Sequence, residues 1–225
     1  MEISLSIRRL IQPLVAVWAF FVISGFLVEA WKYILFFDDS YEWLYFFGLS
    51  YEQNLPTWYS SSLLLLCAVQ LTLAALGATQ RNEPFRIHWW LLALIFFYIS
   101  LDETATIHED FGKSFEFGGV LYFGWVIPAA VVVVILGLIY LPFLLHLSRR
   151  TRWQFILSGA IYVGGALGVE LLLGYWTDAY GSKNIGYGLI DLIEESMEIF
   201  GASLFFIALL DFLAAESRTI RVSVV

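Results

Sequence analysis

The chain has 225 residues, of which 60% are hydrophobic and only 14% charged, and its net charge is -8. A water-soluble fold of this composition would have too few polar side chains to cover its surface, and there is no basic groove for a nucleic acid. The single cysteine, Cys67, rules out an intrachain disulfide and reads as a small buried side chain.

Apolar runs approach or exceed the roughly 18 residues that mark a transmembrane helix. The expected fold class is therefore all-α, a polytopic transmembrane bundle forming one domain over 1–225. Six helices are predicted at about 10–35, 57–78, 87–103, 120–145, 154–176 and 187–213. Segment 1 follows Arg8 and Arg9, carries Pro13 near its start where a missing amide costs least, and is too long for a signal peptide. Its far end, VEAWKYILFFDDSYEWLYFF, is amphipathic and predicts an interfacial helix carrying Glu29 and Lys32 as an ion pair one turn apart.

Segment 2 opens LPTWYSSS, where Pro56 and Thr57 mark a helix start, and Gln70 midway along it needs a partner on another helix. Segment 3, HWWLLALIFFYI, runs into SLDETATIHE. Segment 4 has no polar face and reads as lipid-facing, with Pro128 and Pro142 expected to bend it. Segment 5 places Gly159, Gly164, Gly165 and Gly168 before Glu170. Gly164 and Gly168 form a small-xxx-small pair, which predicts a central helix. Segment 6 opens with the acidic stretch IDLIEESMEIFG.

Nine of the twelve Arg and Lys residues fall on one side of this topology: Arg8, Arg9, Arg81, Arg86, Arg149, Arg150, Arg152, Arg218 and Arg221. Lys32, Lys113 and Lys183 fall on the other. The positive-inside rule then puts both termini in the cytoplasm of a multi-pass plasma-membrane protein, an inner-membrane protein if the source is bacterial. Acids such as Asp38, Asp39, Glu42, Glu52, Asp110, Glu116 and Asp178 gather at the outer side, and tryptophans near both boundaries match aromatic belts.

With that topology the scattered acids become one constellation. Glu103 and Glu170 each lie roughly 24 Å from the inner starts of their helices, and Glu194 and Glu195 lie roughly 11 Å from the outer start of theirs, so all can meet in the outer leaflet. Asp191, Glu194 and Glu198 share a helix face, with Glu195 on its flank. Ionised carboxylates there must be protonated, paired or bound to metal, and Lys and Arg are too scarce in these helices to balance them.

The pattern suits a divalent ion, with zinc, iron or manganese most compatible once an imidazole joins the carboxylates. The expected ligands are Glu103, His108, Glu170, Glu195 and Glu198. Asp102, Asp191 and Gln70 are expected behind them or as alternates, and Glu109 and Glu194 are candidate catalytic bases. The spacing matches neither HExxH nor a pair of Glu-x-x-His motifs. Glu103 and His108 stand about 140° apart on an ideal helix, so the helix must end or distort between them to serve one ion.

The combination SLDETATIHE, GGALGVE and EESMEIFGASLF resembles a family of small, uncharacterised bacterial multipass membrane proteins over residues 87–213. The resemblance implies the architecture and that these acids occur together, and it carries no activity. Intramembrane ceramidase-like hydrolases also combine metal with a helical bundle, but the histidine pair of their final helices is missing here.

Three function classes follow. The first is a metal-dependent hydrolase or oxidoreductase acting on a lipid or amphiphile. The second is a cation or proton transporter or channel, and the third is an accessory subunit of a membrane complex. The expected partners are the bilayer, a lipid or amphiphilic substrate, and a second copy or another membrane subunit; nucleic acid is not among them.

Overall fold

A computed structural model describes residues 7–34, 39–112 and 117–216. Lys113, Glu116, Asp38, Arg218 and Arg221 lie outside the described residues, as do the side chains of Arg8, Asp39, Glu42 and Glu109. Among the described residues the chain is helical and contains no strand.

The helices are α1 (Ile7–Ile34), α2 (Leu55–Gln80), α3 (Arg86–Ala105), α4 (Ile107–Gly112), α5 (Val126–His146), α6 (Arg149–Val163), α7 (Glu170–Tyr180) and α8 (Ile185–Glu216). Short 3-10 helices occupy Asp39–Phe47 and Gly119–Leu121, and a π-helical stretch, Gly164–Val169, joins α6 to α7. Five helical runs are long and apolar enough to cross a membrane: Arg9–Ile34, Leu55–Gln80, Val126–His146, Arg149–Tyr180 and Ile185–Ala215. The expected sixth, at 87–103, falls short of that measure because Arg86 and His88 at one end, and Asp102 and Glu103 at the other, dilute its apolar centre. It still packs lengthwise on α2.

Two other expectations are corrected. The predicted start of segment 4 at 120 is a 3-10 turn, and α5 begins at Val126 with Pro128 in its first turn, where the missing amide breaks no helical bond. The interfacial segment does not carry Glu29 and Lys32. Both belong to α1, and Lys32 donates to the Tyr51 hydroxyl at 2.6 Å, while Glu29 is buried under Gly188 of α8.

Packing centres on α8, which contacts α1, α2, α6 and α7. The lower core collects Cys67, Leu71, Trp89, Phe143, Phe155, Phe205 and Leu209. At that end Asp211 accepts from Arg150 at 2.6 Å and from Gln154 at 2.8 Å, tying α8 to α6. Glycines set the α6–α8 approach. A Cβ on Gly201 would stand 2.7 Å from the Tyr162 backbone nitrogen, and one on Gly165 would stand 2.9 Å from the Glu194 carbonyl. Gly165, rather than the Gly164 and Gly168 pair, makes the tight contact; Gly168 faces open space.

Candidate functional site

Three local features bring the acids together. The first is the glycine-rich GGALGV stretch, which winds as a π-helix immediately before Glu170. A π-turn widens the helix and resets the direction of the following side chains, and such bulges recur at functional sites. Glu170 is buried at the start of α7, where its Oε1 accepts from Trp125 Nε1 at 3.0 Å.

The second feature is the break after α3. Thr106 adopts a left-handed conformation (φ 51°), and its amide donates to the Asp102 carbonyl at 2.7 Å, which ends the helix. Asp102 then serves the next helix as well. Its Oδ1 accepts the His108 amide at 2.9 Å and its Oδ2 meets His108 Nδ1 at 2.8 Å. The imidazole packs against the Trp125 ring, 4.7 Å between centroids, and interacts electrostatically with Glu103. Glu103 and His108 are thus brought to one side by a helix break.

The third feature is the acidic face of α8. Glu194 is buried and its carboxyl meets that of Glu170, while Asp191 and Glu198 are close enough to interact with it. Glu198 is the hub. It interacts with Glu103 and Glu170, and the Tyr162 hydroxyl reaches it from α6. Glu195 joins through Glu198, Glu103 and Asp191. Ser60 of α2 lies beside Glu103.

The chamber lies toward the end of the bundle where α2 and α8 begin and α3 ends, opposite Arg81, Arg86 and Arg149–Arg152. Within α2, α7 and α8 there is no Lys or Arg, and α3 has only Arg86 at its start. The acids therefore face one another without a cationic side chain from these helices.

Not every expected residue reaches the chamber. Gln70 is buried on α2, but ten residues, about 15 Å, further along the helix than Ser60. Glu109 belongs to α4, and its side chain is outside the described residues. Conversely, Trp125 and Tyr162 touch the acids and were not among the expected site residues; as aromatics in an aromatic-rich chain, they carry no sequence signal that sets them apart.

Among the described residues no group of three or more His, Cys, Asp or Glu side chains stands in an arrangement that holds a metal ion. The reason is visible in the pairings: His108 is turned to Asp102, and Glu170 to Trp125 and Glu194. One feature nevertheless fits a cation. Glu194 Oε2 is buried among carboxylates and has no hydrogen-bond partner, an arrangement whose cost is relieved by a proton or a positive ion.

The Asp102 contacts can be tested directly. Asp102→Ala removes both bonds to His108 and is expected to speed hydrogen exchange at the His108 amide about tenfold, the equivalent of roughly 1.4 kcal/mol of local stability. Unchanged exchange would show that the break at Thr106 holds α4 without Asp102.

Membrane-length apolar helices enclosing a chamber of glutamates define the class: an all-helical bundle with an acid-lined interior. The chain matches the family described as Domain of unknown function (DUF8692) over residues 14–212, and it belongs to that family. No curated protein and no solved structure matches it.

Proposed function

We propose that the chamber is a divalent-cation centre in the outer half of a multi-pass plasma-membrane protein. In this reading it serves metal-dependent hydrolysis or oxidation of a lipid or amphiphile. The observation that carries the reading is the buried, unpartnered Glu194 Oε2, set among Glu170, Glu198 and Asp191 on helices that supply no Lys or Arg at that level. Glu103, Glu170, Glu195 and Glu198 would hold the ion with His108, a donor set suited to zinc, iron or manganese. Asp102 would keep the imidazole oriented through its Nδ1. Glu194 is placed to take a proton from a reacting group, with Glu109 as the other candidate base. A bound ion of this kind supplies Lewis acidity and lowers the pKa of a coordinated water.

A second reading is suggested by the meeting of the Glu170 and Glu194 carboxyls, an arrangement satisfied by a shared proton. It makes the chamber part of a proton or cation transport path. Against it, between Glu198 and the end of α8 only Ser203 and Asp211 are polar within FGASLFFIALLDFLAA, and Asp211 is held by Arg150 and Gln154.

Elemental analysis of detergent-purified protein separates these readings. Wild type is expected to carry a stoichiometric transition metal. Glu170→Gln, purified identically, is expected to bind at least about tenfold more weakly and to lose most of it. Equal metal content in the two proteins overturns this ligand set, and a metal-free wild type that acidifies liposomes on imposing a potential favours the second reading.

A further inference from the structure

We infer that a surface vestibule is the cation's way into the chamber, and that Glu52 at its mouth draws the ion in without becoming a ligand. This inference rests on the cation reading of the chamber. The vestibule has a volume of about 510 Å³ and is walled by Trp43, Tyr45, Tyr51, Glu52, Gln53 and Asn54.

Its frame is fixed by one side chain. Asn54 Oδ1 accepts the Thr57 amide at 3.0 Å and so caps α2, while its Nδ2 donates to the Gly48 carbonyl at 2.5 Å and to that of Tyr45 at 3.2 Å. The 3-10 helix Asp39–Phe47 is thereby tied to the start of the helix that carries Ser60 to Glu103. Tyr45 and Tyr51 stack at 4.5 Å and make one wall.

Lys32 stands behind that wall, its ammonium 4.9 Å from the Tyr51 ring centroid and 5.7 Å from that of Tyr45. Its charge does not face the vestibule alone, because Glu29 lies close enough to offset it. Burial holds the Tyr51 phenol above its ordinary range, so it stays a neutral donor and acceptor at the wall.

Glu52 and Gln53 are exposed, and Gln53 takes a left-handed conformation (φ 58°) that turns the chain at the rim. The Glu52 carboxylate is nevertheless near enough to interact with both Glu195 and Glu198. One acid thus stands between solvent and the chamber, where low-dielectric walls focus its field on an approaching cation. Screening by salt must weaken that effect, since the group is exposed.

The test follows Mn²⁺ binding to the full chain in detergent, by stopped-flow quenching of tryptophan fluorescence and by equilibrium stoichiometry. Glu52→Gln is expected to slow association about fivefold at low salt, with the difference closing at high salt and one Mn²⁺ bound per chain in both proteins. Gln53→Cys, blocked with a bulky cationic thiol reagent, is expected to slow association further; the native Cys67 is fully buried and stays silent. Association as fast in Glu52→Gln as in wild type, at equal stoichiometry, overturns the steering role. Loss of stoichiometry in Glu52→Gln overturns it too, by making Glu52 a ligand. A wild type that binds no Mn²⁺ at all removes the cation reading of the chamber, and this inference with it.

Discussion

Exchanging Gly201 for valine is expected to force α6 and α8 apart and cost about 3 kcal/mol or more. The Cβ alone would approach the Tyr162 backbone to 2.7 Å at its nitrogen and 2.9 Å at its Cα, and neither atom can rotate out of the way. Overpacking of a close-packed contact ordinarily costs about 1–3 kcal/mol, and here the obstacle is main chain rather than a flexible side chain. Tyr162 also reaches Glu198, so separation of the helices opens the chamber as well as the core. Thermal unfolding in detergent measures the effect. Gly159→Ala is the control: its Cβ would enter open space, and helix propensity predicts a gain of up to about 1 kcal/mol. Comparable melting temperatures for Gly201→Val and wild type would refute the close approach.

The second large effect is a reversal of stability order. Glu198 is the acid that joins Glu103 and Glu195 to Glu170. In chelator, Glu198→Gln removes one member of a mutually repelling set while keeping an oxygen for the Tyr162 hydroxyl. The variant is therefore expected to be more stable than wild type by about 1–2 kcal/mol. With Mn²⁺ at about a hundred times its dissociation constant, wild type gains about 2.7 kcal/mol and the variant gains little. The order of melting temperatures then inverts between the two buffers. A variant less stable than wild type in both buffers would mean that the glutamates are held by hydrogen bonds and bind no ion.

The helices were legible because their signal is local. Long apolar runs bounded by arginine and proline placed α1, α2 and α8 to within a few residues, since hydropathy needs no knowledge of neighbours. The same logic overstated α3, whose charged ends were counted as boundary residues, and it missed the turns before Val126. Convergence of Glu103, Glu170, Glu194, Glu195 and Glu198 was legible because depth along a helix is simple arithmetic once orientation is assumed. Rotation about the helix axis was not. It depends on the π-stretch at Gly164–Val169 and on the left-handed Thr106, and neither follows from periodicity. That is why Gly165 rather than Gly164 meets α8, and why Trp125 entered unannounced as the donor to Glu170.

The wide winding between α6 and α7 also bears on how such a protein tolerates insertions and deletions. An α-helix advances about 100° per residue, so removing a single residue from GGALGV and restoring regular winding would swing everything beyond it by about that angle. Glu170 would then leave the acidic face of α8 and point elsewhere, although no side chain of the chamber had been altered. A length change in that six-residue stretch is thus equivalent to deleting a functional group, which makes the spacing between Val163 and Glu170 as much a part of the site as the glutamates.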